Sequence, residues 1–515
     1  MEQIRHIEID AKKSIGKVPE SPLFCVSAAR ANLLLRSDHQ QHLKRAVQEC
    51  GFQYLRFHGI FQDDMGVYRE DAFGAPVYSW QYVDQVYDFL LGIGIRPFVV
   101  FDFMPSALAS GETTVYWEKA NVTLPNSYEK WQNLITAATE HFTLRYGREE
   151  VKKWYFEVWN EPDNAPFFSG TFEDYCKLYD VTARAVKAVC EDYRVGGPAI
   201  SGNVEWVSGL IQYCSQNTVP LDFISAHSYS TKGFCEDGTH LPALPGIPAW
   251  EPGPSWELGN QCYDPEGVLP AVLAVRKAIS ESAMPHLELH YTEWGLTWDY
   301  WDSLRDSYHA ASYILSRINV VSELVDSLSY CEISDVFEED GPPSDSFHGG
   351  FGLLNLQGIR KPAYFAYWFL SQLGTERIFC TDSNCIAAKK GNAYQVLVWN
   401  DAAHQDQENK RYYDHEVAPC TAGRLQVAVS GLAPGNYLMK GYSAGYQKND
   451  AYTMYLRMKK QESLSKEQVE LLDSVSSGQP FQISFFSCDE EGGATVVLDT
   501  LERENDVYLL SIIPY

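Results

Sequence analysis

The sequence predicts an α/β chain, a (β/α)8 TIM barrel with a C-terminal β-sandwich. Three observations carry that expectation. At 515 residues the chain exceeds one ordinary domain. From Leu23 to Leu373, strand-like apolar runs alternate with helix-like segments, as in parallel sheets built from β–α units. Beyond residue 374 the texture changes to short strands separated by glycine and proline, as at Ala433-Pro-Gly435. The expected division is 21–373 for the barrel and 374–515 for the sandwich, with the N-terminal strand 1–20 joining the sandwich sheet.

The elements follow in order. Ile4-Arg-His-Ile-Glu-Ile9 alternates apolar and polar residues and reads as a strand. Leu23–Val26, Tyr54–Phe57, Arg96–Phe103 and Trp154–Trp159 are the first four barrel strands. Helices His39–Cys50 (with Gly51 as its cap), Trp80–Leu91 and Tyr128–Tyr146 lie between them. Helix Phe172–Asp192 leads to strands Arg194–Gly197 and Phe223–His227. Helix Val268–Glu281 leads to strand Leu287–Tyr291, helix Tyr308–Glu323 to strand Ser327–Ile333, and Tyr364–Leu373 is the eighth helix. The sandwich strands are Val396–Trp399, Leu425–Val429, Tyr437–Lys440, Phe481–Phe486 and Val507–Ile513, with helices at Tyr452–Met458 and Lys466–Ser474. Thr231 to Asp264 is a proline-rich loop with Trp250 and Trp256; following the sixth strand, it belongs on the catalytic face of a barrel.

Composition narrows the function. A net charge of −27 disfavours nucleic acid and anionic membrane surfaces and favours a neutral substrate. The 14% aromatic content suits stacking on sugar rings as well as core packing. Met1-Glu-Gln-Ile-Arg-His lacks the apolar run of a secretory signal, and no stretch reaches transmembrane length. The twelve cysteines are scattered without zinc-type spacing, though Cys380 and Cys385 are neighbours; they read as reduced thiols of a cytoplasmic protein. No metal or cofactor is expected, and homo-oligomerisation stays open.

The chemistry centres on Trp154-Tyr-Phe-Glu-Val-Trp-Asn-Glu-Pro-Asp163. Proline ends strand pairing and disfavours the α region for Glu161, so this carboxylate sits where a strand breaks into a loop. That is where barrel enzymes carry catalytic groups, and equally where a turn closes a buried strand. Glu293 stands in the same setting after the seventh strand. Two carboxylates across one barrel mouth are what a retaining glycosidase needs, one as acid/base and one as nucleophile.

Trp159-Asn-Glu-Pro162 and Tyr291-Thr-Glu-Trp294 together resemble the retaining (β/α)8 glycosidases. Arg56-Phe-His-Gly-Ile-Phe-Gln-Asp-Asp-Met65, Phe103-Met-Pro-Ser-Ala-Leu108 and Phe347-His-Gly-Gly-Phe-Gly-Leu-Leu-Asn355 narrow the resemblance to glycoside hydrolase family thirty-nine, which holds β-xylosidases and α-L-iduronidases. The resemblance implies Glu161 as acid/base and Glu293 as nucleophile, with Asn160 on the sugar 2-hydroxyl. It implies Arg56, His58, His227 and Tyr229 as pocket lining, Tyr116 or Trp117 with Phe167 as aromatic walls, and Glu338 and Glu339 on sugar hydroxyls. It implies an exo-glycosidase for terminal β-D-xylose, with an arabinoside, glucoside, galactoside or uronide as the alternative substrate and a non-catalytic sugar-binding protein as the remaining one. By themselves the residues leave other roles open: Arg56 as a structural ion-pair partner, His227 as a core histidine, Glu338 and Glu339 as a solvated acidic run. Two positions depart from the family pattern: Cys331 follows Tyr330 where tryptophan is expected, and Asp102 precedes Phe103 where serine is common.

Overall fold

The computed structural model describes residues 4–232, 262–263, 267–298, 300–402, 412–461, 463–489 and 493–515. Strand β1 spans Ile4–Lys17. Eight parallel strands then close a barrel: β2 (Cys25–Ser27), β3 (Tyr54–Phe57), β4 (Arg96–Phe101), β5 (Tyr155–Val158), β6 (Arg194–Ile200), β7 (Phe223–Tyr229), β8 (Glu288–Gly295) and β9 (Ser327–Tyr330). Each pairs with the next, and β9 returns to β2 through Tyr330 and Val26. The first expected strand begins late, because Pro22 at a helix N-terminus winds Ser21–Phe24 into one helical turn.

The barrel interior is layered by the two-residue period of its strands. Cys25, Tyr54, Phe98, Tyr155 and Phe223 form an aromatic floor, and the His290 ring packs edge-on to Tyr155 at 4.8 Å. Two residues further along three of these strands stand Arg56, Glu157 and Thr292, all buried. The interior therefore turns from apolar to charged toward the C-terminal ends, which prepares the site.

Helix Tyr128–Tyr146 has the expected bounds, with the Ser127 hydroxyl accepting from Lys130 N. Helix Phe172–Val189 stops before Asp192 and is opened by a reciprocal Thr171/Asp174 cap. Helix Val204–Asn217, absent from the sequence reading, follows β6; it buries Val207, Leu210, Ile211 and Cys214, and Asn203 accepts from Glu205 N at its start.

The C-terminal strands are β10 (Glu376–Cys380), β11 (Cys385–Lys390), β12 (Ala393–Trp399), β13 (Thr421–Ser430), β14 (Gly435–Ala444), β15 (Gln482–Cys488), β16 (Thr495–Arg503) and β17 (Val507–Pro514). With β1 they bond in the order β15-β14-β17-β12-β11-β10-β1-β13-β16. Ile7, Ile9, Val427 and Val429 share a core with Val396, Met439 and Leu510, so the sheet folds back on itself to make the sandwich. Strand β1 lies antiparallel to β10 and parallel to β13. Trp399 Nε1 donates to Ser316 Oγ on barrel helix His309–Val321 at 2.8 Å, fastening sandwich to barrel. Most of the loop 231–264, with Trp250 and Trp256, lies outside the described residues.

Candidate active site

The first catalytic candidate sits where β5 ends. Pairing stops at Val158, and Trp159 and Glu161 take left-handed φ angles of 68° and 46°. Both are uncommon for non-glycine residues, and the proline after Glu161 adds its own restriction. The local fold supplies holds for this strained turn: Trp159 Nε1 donates to Phe167 O at 2.8 Å, and Glu161 N donates to Ala199 O at 3.1 Å. Glu293 arrives differently from the expectation. It lies inside β8, not after it, because the strand continues to Gly295 and Trp294 still pairs with Tyr330.

The two glutamates meet around His227. Imidazole Nδ1 is 2.8 Å from Glu161 Oε1 and 3.7 Å from Glu293 Oε2, and Nε2 is 3.1 Å from Thr292 Oγ1. One ligand atom from each of Glu161, His227 and Glu293 falls within 4.8 Å of the others. That closeness suits a retaining pair, whose carboxyl groups stand about 5–5.5 Å apart. Such a trio could also coordinate a cation, but here the imidazole hydrogen-bonds Glu161 and lies within ion-pair distance of Glu293.

Arg56 organises the anionic side. Its Nη1 is 2.5 Å from Glu293 Oε1, its Nε and Nη2 reach Glu157 Oε2 at 2.9 and 2.8 Å, and Nη2 also reaches Asn160 Oδ1 at 2.7 Å. It is therefore both an ion-pair partner and part of the site. The Tyr229 hydroxyl donates to the other Glu293 oxygen at 2.8 Å. Burial works against ionising Glu293, but His227, Arg56 and the Tyr229 hydroxyl together outweigh it and hold the carboxyl at about 2. Burial likewise opposes protonation of His227, and the charges of Glu293 and Glu161 overcome it, raising its pKa.

Of the remaining predicted residues, His58, Tyr116, Phe167 and Glu339 cluster beside the two glutamates. His58 stacks on Tyr116 with ring centres 5.8 Å apart, and Tyr116 packs against Phe167 at 5.3 Å. His58 Nε2 is 3.2 Å from Glu339 Oε1, and the Tyr300 hydroxyl donates to the other oxygen. Glu338 pairs with Arg36. The side chains of Glu338 and Glu339 are only 13% and 12% exposed, which removes the reading of a solvated acidic run. Burial raises Glu339 well above the usual carboxylate range, despite the Tyr300 hydroxyl and with help from nearby Glu293 and Asp340. Trp117 gives the site its backbone, N–H to Glu339 O at 2.7 Å, while its ring is exposed beside Gly341. Tyr116 rather than Trp117 is thus the inner wall.

Three groups escaped the sequence reading. Glu157 anchors Arg56 and accepts from Thr292 Oγ1 at 2.9 Å, so the floor of the site is a chain His227–Thr292–Glu157–Arg56. The signal was present: a lone acid two positions after Tyr155 in an apolar strand. Asn164 Nδ2 donates to Glu161 Oε2 at 3.1 Å from the following turn. Tyr300 comes from a segment with no strand or helix pattern. At the departing positions, buried Cys331 packs with Tyr229, Phe337 and Phe351, and Asp102 Oδ1 accepts from Gly59 N at 2.6 Å, beside His58. Burial pushes Asp102 up to about 6.

Comparison with known proteins agrees with this geometry. The family model "Glycosyl hydrolases family 39" matches residues 5–242 and 258–484. A β-xylosidase of Geobacillus stearothermophilus is 40% identical over 73% of each chain, and one of Caldicellulosiruptor saccharolyticus is 35% identical over 94% of each. The crystal structure of a monomeric β-xylosidase from Caulobacter crescentus CB15 superposes with a TM-score of 0.90 at 34% identity, covering 99% of both chains. With a closed eight-stranded barrel, a folded-over sheet and two glutamates facing each other across its mouth, the chain belongs to glycosyl hydrolases family 39 and is a glycoside hydrolase.

Proposed function

We propose that the chain is a retaining exo-glycosidase that removes terminal non-reducing β-D-xylose from oligosaccharides or small glycosides by double displacement. The observation that carries this reading is the proximity of Glu161 and Glu293 around His227, with Glu293 held anionic by Arg56. The substrate rests on the two β-xylosidase relatives.

In this reading Glu293 attacks the anomeric carbon while Glu161 protonates the leaving oxygen. Glu161 then draws a proton from the water that releases the sugar. His227 holds the acid/base oxygen in place. Arg56 positions the nucleophile, and by binding Asn160 Oδ1 it leaves the Asn160 amide N–H group to face a sugar 2-hydroxyl. The partly buried acids Glu338 and Glu339, with His58, take the other hydroxyls; Tyr116 and Phe167 form the ring wall. The mechanism needs no metal. A uronide would call for a cation toward its carboxylate, and Arg30, Arg36 and Arg56 each already face carboxylates. We assign 21–373 to the catalytic barrel, and 374–515 with 1–20 to the sandwich.

A panel of chromogenic glycosides tests this directly. The β-xyloside should turn over fastest; preference for an α-arabinoside, β-glucoside, β-galactoside or uronide would move the sugar assignment, and no turnover on any would remove the enzymatic reading.

A further inference from the structure

Far from the barrel mouth, β10 and β11 form a hairpin whose register runs Glu376↔Lys389, Arg377↔Ala388 and Ile378↔Ala387. Continued in step, it sets Cys380 directly opposite Cys385, with Thr381–Asn384 as the connection. Cys380 Sγ lies 3.3 Å from Cys385 O and 3.5 Å from Asp382 O, folded over the hairpin end. The two thiols differ in access: Cys380 is partly exposed and Cys385 is buried. We propose that this pair is a hydroperoxide-responsive dithiol, in which Cys380 is oxidised first and Cys385 resolves it to a disulfide.

A reactive cysteine of this kind needs access, thiolate character and a neighbouring thiol. The cross-strand position supplies the neighbour. A hydrogen bond from Cys385, opposed by burial and by the Asp382 charge and aided by a backbone hydrogen bond at Asp382 and by Arg377, lowers Cys380 to about 7. Cys385 is raised well above the thiol range by the same contact and by its own burial, so it stays a protonated donor until needed. In the first step the Cys380 thiolate attacks one peroxide oxygen; the O–O bond breaks, and the leaving oxygen takes up a proton as water or alcohol. In the second, Cys385 sulfur attacks the sulfenic acid, the S–S bond forms, and hydroxide leaves with the Cys385 proton as water. Two thiols lose two electrons and the hydroperoxide gains two.

The hairpin end is well placed to transmit a local change. Asp382 receives Arg5 Nε and Nη2 at 2.9 and 2.7 Å, tying down β1, and Ser383 O accepts from Asn319 Nδ2 of the barrel at 2.9 Å. Directly opposite residues have Cβ atoms about 4.5–5.5 Å apart, slightly wide of the disulfide optimum, so the bond should be readily reversed by a dithiol.

The test uses the full-length protein, hydrogen peroxide as oxidant, and peptide mass spectrometry after alkylation under denaturing conditions. The expected result is a peptide spanning residues 380–385 that loses two hydrogens and is restored by dithiothreitol, while exposed Cys420 does not enter a disulfide. In Cys385→Ser, Cys380 should stop as a sulfenic acid trapped by dimedone. A second reading on untreated wild type is iodoacetamide labelling against pH, with a midpoint near 7 for Cys380. Recovery of both thiols after peroxide, or equal dimedone trapping in wild type and Cys385→Ser, overturns the proposal. So does a Cys380 labelling midpoint matching that of Cys420.

Discussion

Replacing Arg56 by methionine tests the electrostatic design of the site. The guanidinium side chain is 1% exposed and touches two anions, Glu157 at 0% and Glu293 at 14% exposure. Its removal leaves buried charge without a counterion, which costs about 3–5 kcal/mol. Unfolding 515 residues at about 2.1 cal/mol/K per residue carries about 1.1 kcal/mol/K, so Tm should fall by about 3–5 °C. Adding Glu157→Gln to Arg56→Met should recover part of that loss, because one orphaned charge is then neutral. The catalytic signature is separate. Glu293 has a depressed pKa, so its ionisation stabilises the fold above its unfolded value of about 4.3 and that contribution is lost as pH falls through about 2. Without Arg56 the Glu293 pKa rises, the window narrows, and the acid limb of kcat/KM moves to higher pH. Calorimetry and a pH–rate profile with an aryl xyloside read both. A variant that melts within about 1 °C of the parent with an unmoved acid limb would refute the argument.

Three further outcomes follow from the glutamate pair. Glu293→Ala should lose several orders of magnitude in kcat, and azide should restore turnover of an activated glycoside with inverted product; near-normal activity would exclude it as nucleophile. Glu161→Ala should cost about 10²–10⁴-fold with a poor leaving group, yet an activated aryl glycoside should give a pre-steady-state burst, and azide should release a retained glycosyl azide. Equal loss on both substrates without a burst would remove its acid/base role. Proton NMR of fresh wild-type product should show retained anomeric configuration; inversion would contradict a double displacement.

Much of this was legible because barrel strands carry strong local signals. Trp154 to Trp159 combines aromatic and β-branched residues ahead of a proline break, and its strand and its glutamate are both where that pattern puts them. What escaped did so for identifiable reasons. Strand β6 reads weakly because of Gly196 and Gly197, yet both glycines are needed: a Cβ on Gly196 would stand 2.3 Å from Phe223 O, and one on Gly197 2.4 Å from the Tyr175 hydroxyl. Strand β11 is buried on both faces from Cys385 to Ala388, so its residues do not alternate in polarity, and β10 is a short mixed run of five. The floor of the site was hidden because Arg56, Glu157, His227 and Thr292 come from four strands spread over more than 230 residues of sequence, and only barrel closure makes them neighbours.

The position of β1 has a consequence for how the protein is made. Its two hydrogen-bonding partners, β10 and β13, begin at Glu376 and Thr421, and Arg5 is gripped by Asp382 and Glu502. At roughly 5–20 residues per second, this strand leaves the ribosome more than about 18 s before its first partner exists. Throughout that interval Ile7 and Ile9 have no sandwich core to enter, and the strand presents two unpaired edges. The barrel can close in the meantime from β2 to β9. The sandwich instead waits for roughly the last quarter of the chain, so its assembly is gated by synthesis, and β1, made long before the strands it pairs with, is among the last elements to reach its native neighbours.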